Sequence, residues 1–153
     1  NYNPFENKRI VKNTQETKFR NRAFTQIIKE EYDYRCAVCG MKIYSPNTLL
    51  WEVEVAHIVP HSANGKDEIL NGLALCRLHH WAFDVGWFAL GDNFNVLTSG
   101  KTKDLFADFG KMGSFDFIGQ LSNENLIIAL PKEYDMRPHA NAVKWHRENI
   151  FFR

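Results

Sequence analysis

The sequence predicts an α+β domain with a metal-tied knot at its centre, and three observations carry that expectation. An amphipathic helical stretch comes early, short strand candidates follow, and two cysteine-bearing pairs bracket a strand and a short helix. At 153 residues, with 44% apolar composition, the chain is the size of one domain and can bury a useful core.

Residues 1–18 are polar and contain Pro4, so they read as an arm or linker, with 19–153 as a single domain whose core motif spans 36–86. From Thr17 to Tyr34, Phe19, Ala23, Phe24, Ile27, Ile28 and Tyr32 recur at helical spacing, which predicts an amphipathic helix. "RCAVCG" reads as a tight turn. "LLWEVEVAHI" alternates like a strand, with Trp51, Val53 and Val55 to one side and Glu52 and Glu54 to solvent. Residues 60–72 form a loop, and "LALCRLHHWAF", 73–83, has the length and pattern of a short helix that Gly86 can end. "GWFAL", "FNVLTS", "FDFIGQL" and "LIIAL" are short strand candidates, and "HANAVKWHRENIFFR" predicts a final helix.

Charge excludes little. The net value is +1, with eight Lys/Arg against five Asp/Glu in residues 1–35, three against five in 36–86, and eight each in 87–153. A basic flank beside a mildly acidic, cation-binding centre fits this distribution, and so does ordinary surface variation. No apolar run approaches the roughly 20 residues that span a bilayer, and the N-terminus is not a signal peptide. The expected setting is cytoplasmic, without a membrane. The chain does not start with Met, and it is expected to be the C-terminal part of a longer protein.

The three cysteines carry the chemistry. Cys36 and Cys39 form a CxxC; Cys76 and His79 form a CxxH that begins 37 residues after Cys39. Each pair can grip an ion from one side, and together they offer four ligands for tetrahedral Zn²⁺. The alternative is a Cys36–Cys39 redox pair with Cys76 as a small buried hydrophobe, which leaves the polar His79 without a role. A structural zinc here would join the residues before the strand to the start of the short helix, bringing His57 against His80.

At this point the chain resembles the HNH endonucleases, which use the ββα-metal fold. His57, Asn71 and His80 in "AHIVPHSANGKDEILNGLALCRLHH" are similar to that family's three signature residues. "RCAVCG", "VEVAHIVPHS", "NGLALCRLHHWAFDVGWF" and "WHRENIFF" resemble the HNH domains of restriction endonucleases, some of which follow a reader of modified cytosine. The likeness is specific from Phe19 to about Leu90 and weaker beyond.

The resemblance implies a metal-dependent endodeoxyribonuclease acting in restriction of foreign DNA. His57 would be the general base, Asn71 would order the loop that holds it, and His80 would bind a catalytic Mg²⁺ or Mn²⁺ distinct from the zinc. Products would carry 5′-phosphate and 3′-hydroxyl ends. Many relatives place a metal ligand immediately before the base, where this chain has Ala56. Asp84, one helical turn after His80, is the preferred replacement ligand; His61 is the other candidate, read rather as a loop or substrate-facing residue. Duplex DNA is the expected partner, with Lys66, Arg77 and basic residues of the first helix as candidate phosphate contacts. Cutting both strands would require a homodimer or two successive nicks. The rival reading is a non-catalytic zinc-stabilised module that binds DNA or protein.

Overall fold

Helix α1, Thr14–Glu31, leads a computed structural model that describes residues 2–5, 14–46, 50–103 and 126–151. Phe24, Ile28 and Tyr32 follow at successive four-residue steps and are all buried, so they form the stripe that docks this helix on the core. The helix starts and ends three residues earlier than the spacing predicts, and its first turns lie inside the segment read as a polar arm. At the C-terminal end, Asp33 and Tyr34 have φ of 50° and 56°, which turns the chain away before Tyr34 can continue the helix.

Strand β1, Glu54–His57, pairs antiparallel with β2, Gly72–Leu75, in the register Glu54↔Leu75 to His57↔Gly72. Helix α2, Arg77–Asp84, follows β2 after a single residue, Cys76. This strand–strand–helix unit is the ββα arrangement the resemblance implies. Gly72 is what lets α1 lie so close: a Cβ there would sit 2.9 Å from both Ile28 Cδ1 and Phe24 Cε2. The segment read as one helix over 73–83 is therefore a strand followed by a helix. All four residues of β2 are buried, so they read as a continuous apolar run with no alternation to mark a strand. The inward set of β1 also differs from the alternation. Val53 and Ala56 are buried, while Trp51 and Val55 are only partly so, and both α1 and α2 pack against the hairpin.

A second antiparallel pair joins β3, Phe88–Leu90, to β4, Val96–Thr98. Residues of "LIIAL" run beside β4 through one bridge, Asn95 to Ile127, instead of a full strand. Ala129 N–H then donates to Ala37 O at 2.8 Å, tying this segment to the cysteine turn. The strand expected at "FDFIGQL" lies outside the described residues. Helix α3, Ala140–Asn149, buries Ala142, Val143 and His146, and His139 caps it by accepting from Asn141 N–H at 3.1 Å. No helix among the described residues is long and apolar enough to cross a membrane.

Candidate active site and metal centre

The turn at residues 36–40 is closed by Gly40 N–H donating to Cys36 O at 2.8 Å, with Gly40 at φ 74°. Ala37 N–H donates to Ala74 O at 2.8 Å, which fixes the turn against β2. On the other side Cys76 is the N-cap of α2, and its sulfur accepts from His79 N–H at 3.5 Å. The two pairs thus face one another. His79 Nδ1 lies 3.1 Å from Cys76 Sγ and 3.5 Å from Cys36 Sγ, Cys39 Sγ lies 4.0 Å from Cys76 Sγ, and all four ligand atoms fall within 4.8 Å of one another. Sulfurs on one tetrahedral zinc stand about 3.8 Å apart, given Zn–S bonds of about 2.3 Å. All three cysteines are free thiols, and the donor set fits a zinc ion.

The electrostatics of the cluster point the same way. Hydrogen bonds from Cys39 and Cys76 push the Cys36 thiol far down, while those same contacts with Cys36 and Cys39 push Cys76 far up. Burial pulls His79 down, but hydrogen bonds to Cys36 and Cys39 outweigh it and raise the imidazole to about 9. A thiol pushed down as Cys36 is takes the thiolate form in which cysteine binds a metal.

Asn71 is fully buried at the end of a single 3-10 turn, Ile69–Asn71. Its Oδ1 accepts from Val59 N–H at 2.9 Å, and its Nδ2 donates to Val59 O at 3.0 Å and to Lys66 O at 2.9 Å. These bonds close the loop that follows β1 like a staple. Gly65 makes the closure possible, since a Cβ there would overlap Val59 O at 1.7 Å. The loop in turn holds the segment that carries His61 and Asp67 beside His57.

His57 stacks on Phe24 of α1 with centroids 4.8 Å apart. Its Nε2 lies 2.7 Å from Asp67 Oδ1, and His61 Nε2 lies 2.7 Å from the same oxygen. Burial lowers the His57 pKa below the usual imidazole range, and the hydrogen bond to Asp67 offsets this only in part. His57 is therefore a neutral imidazole around pH 7. Burial alone would raise the Asp67 carboxyl, but hydrogen bonds from His57 and His61 hold it below its usual range.

On α2, His80 is held from both ends. Its Nδ1 lies 2.9 Å from Glu54 Oε2 on β1, and its Nε2 lies 3.4 Å from Asp84 Oδ2 one turn along the helix. Burial raises the Asp84 carboxyl above its usual value, against the opposing pull of His80 and His57. His57, Pro60, His61, His80, Asp84 and His146 line one open cleft. His57, His80 and Asp84 thus meet in space, with Asn71 behind the loop. Glu54, expected to face solvent, is 41% exposed at its side chain but also reaches His80 and accepts from Arg77 Nε at 3.1 Å. Asp67 and Glu54 are the residues that the motif reading passed over. Ala56 is fully buried in the core and offers no ligand. Lys66 and Arg77 are engaged with Glu68 and Glu54 at 3.6 and 3.1 Å.

Comparison with known proteins agrees with this geometry. The HNH endonuclease family matches residues 36–91, a span that contains both cysteine pairs together with His57, Asn71 and His80. Among solved structures, the chain is similar to a modification-dependent TagI restriction endonuclease at 22% identity and a TM-score of 0.59. The likeness covers 84% of this chain and 37% of that one. No curated protein matches. The family match supports a nuclease, and the structural likeness supports the fold.

Proposed function

We propose that this domain, whose residues 36–91 match the HNH endonucleases, hydrolyses DNA phosphodiester bonds with a divalent ion, with His57 as base and His80 as metal ligand. The observation that carries the reading is the shared cleft in which a neutral His57 and the His80–Asp84 pair meet.

Asp67 accepts the Nε2–H of His57, which leaves Nδ1 with the lone pair a base needs. His57 takes a proton from water as the water oxygen bonds to phosphorus; the bond from phosphorus to the 3′-oxygen breaks, and that oxygen gains a proton from solvent. Glu54 accepts the Nδ1–H of His80 and so directs its Nε2 lone pair toward Asp84. The 3.4 Å between Nε2 and Oδ2 is close to the roughly 3 Å between adjacent ligands of an ion bound at about 2.1 Å. Bound there, Mg²⁺ or Mn²⁺ would supply positive charge to a phosphate oxygen and to the leaving 3′-oxygen. Asp84 takes the ligand role that Ala56 cannot, and His61 has no part in this step. Zinc at Cys36, Cys39, Cys76 and His79 would hold α2 and the cysteine turn in place, at a distance from the chemistry. Duplex DNA is the proposed substrate, and restriction of foreign DNA the proposed role.

The test is nicking of supercoiled plasmid, methylated and unmethylated, in Mg²⁺ and in Mn²⁺. Wild type should nick in a metal-dependent way, and His57→Ala should lose roughly 10²–10⁴-fold in rate, the usual contribution of a general base. Absence of nicking by folded, zinc-loaded protein would instead favour a binding module.

A further inference from the structure

Two groups among the described residues can surround an ion with three or more ligand atoms: the cysteine cluster, and the set His57, His61 and Asp67. The second lies outside the His80–Asp84 pair. We propose that His57, His61 and Asp67 form a separate site for a borderline transition-metal ion such as Zn²⁺, and that occupancy of this site switches the nuclease off.

The donor chemistry selects the ion. Two imidazole nitrogens and one carboxylate oxygen suit Zn²⁺, Fe²⁺ or Ni²⁺, whereas Mg²⁺ prefers an all-oxygen shell. The three ligand atoms already converge, with both Nε2 atoms 2.7 Å from Asp67 Oδ1 and the imidazole centroids 4.2 Å apart. Ligands of a tetrahedral ion at about 2.0 Å stand roughly 3.3 Å apart, so the set must open by about half an ångström. The His61 side chain is 53% exposed and sits on a one-turn helix, which leaves it free to make that adjustment. Binding at Nε2 needs the other tautomer of each neutral imidazole: solvent takes the Nε2–H and returns a proton to Nδ1, so each ring stays neutral. Three protein ligands leave a fourth position for water.

Inhibition follows from the shared residue and rests on the reading of His57 as base; the binding itself does not. A cation on Nε2 leaves the ring proton on Nδ1, the atom that would act as the base, and takes Asp67 away as its partner. His57 then loses both basicity and its anchor. The structural zinc and the inhibitory zinc would occupy different sites on one chain, so zinc would be required at one ratio and harmful at a higher one.

The test uses zinc-loaded protein carrying His80→Ala, which removes the catalytic ion's ligand, and titrates it with Co²⁺. The expected result is one further Co²⁺ per chain, with d–d absorption and no thiolate charge-transfer band, lost on adding His61→Ala or Asp67→Asn. No further Co²⁺, or further Co²⁺ indifferent to both substitutions, overturns the site. Inhibition is read separately, as plasmid nicking in Mg²⁺ with added Zn²⁺, each protein scored against its own rate without added zinc. His61→Ala should raise the half-inhibiting Zn²⁺ concentration by about tenfold or more, at least the effect of losing an outer-shell partner. Equal inhibition of wild type and His61→Ala, or Zn²⁺-supported nicking that depends on His61, overturns the switch. If wild type never nicks, the nuclease reading and the switch fall together while the Co²⁺ result still decides the site.

Discussion

Asp67 meets two imidazoles with a single carboxylate oxygen, and on the proposed mechanism this contact leaves Nδ1 of His57 as the base. An asparagine there can turn its amide N–H toward Nε2 and favour the opposite tautomer. Asp67→Asn should therefore lower kcat by roughly 10²-fold or more, in keeping with the losses seen when a catalytic histidine is held in the wrong tautomer. KM for DNA should stay close to wild type, since on the proposed mechanism Asp67 acts through His57 and only 15% of its side chain is exposed. Steady-state nicking of a defined duplex separates the two constants. Equal losses in kcat and DNA affinity would place Asp67 in substrate binding. Neither Asp67 nor Glu54 was legible from one sequence: a loop aspartate and a strand glutamate carry no periodicity or spacing that points at an imidazole. The cysteine and histidine pairs were legible because metal geometry demands short, repeated gaps.

Element by element, legibility follows burial. The stretch 139–153 was readable as a final helix, though α3 stops at Asn149, and α1 was readable to within three residues. β2 was hidden because its Leu73–Leu75 core, buried on both sides, continues into the apolar pattern of α2. Cys76 marks the true boundary, since a residue that caps a helix with its side chain is itself outside it. The joint between α2 and α3 also carries a pH signature. His146 is 2% exposed, stacks on Phe83 at 3.6 Å and meets Phe83 O at 2.9 Å through Nε2. Burial lowers its pKa to about 4, against about 6.5 for an unfolded-state histidine. Between those values the unfolded chain binds more protons than the folded one, so stability is complete above about pH 6.5 and falls as pH drops toward 4. The full loss amounts to roughly 3 kcal/mol. Urea midpoints measured across this window should slope less steeply in His146→Gln than in wild type. Parallel slopes would mean that His146 titrates alike in both states.

On the scale of the whole molecule, the cysteine cluster is the junction. It holds the turn after α1, the end of β2 and the start of α2, and through Ala37 it reaches the segment beside β4. If the cluster holds zinc as proposed, a strong chelator should lower Tm substantially and abolish nicking together, because α2 carries both His79 and His80. Nicking that survives in zinc-free protein would separate the knot from the active site. On the proposed mechanism the cleft divides its labour between two histidines, one on each arm of the ββα unit. The measurement that tests this division most directly is nicking rate against Mg²⁺ concentration for wild type, His57→Ala and His80→Ala. His80→Ala should raise the Mg²⁺ midpoint by about tenfold or more. His57→Ala should keep the midpoint and lower the maximum rate by roughly 10²–10⁴-fold. Identical curves for all three proteins, or a midpoint shift in His57→Ala with none in His80→Ala, would contradict it.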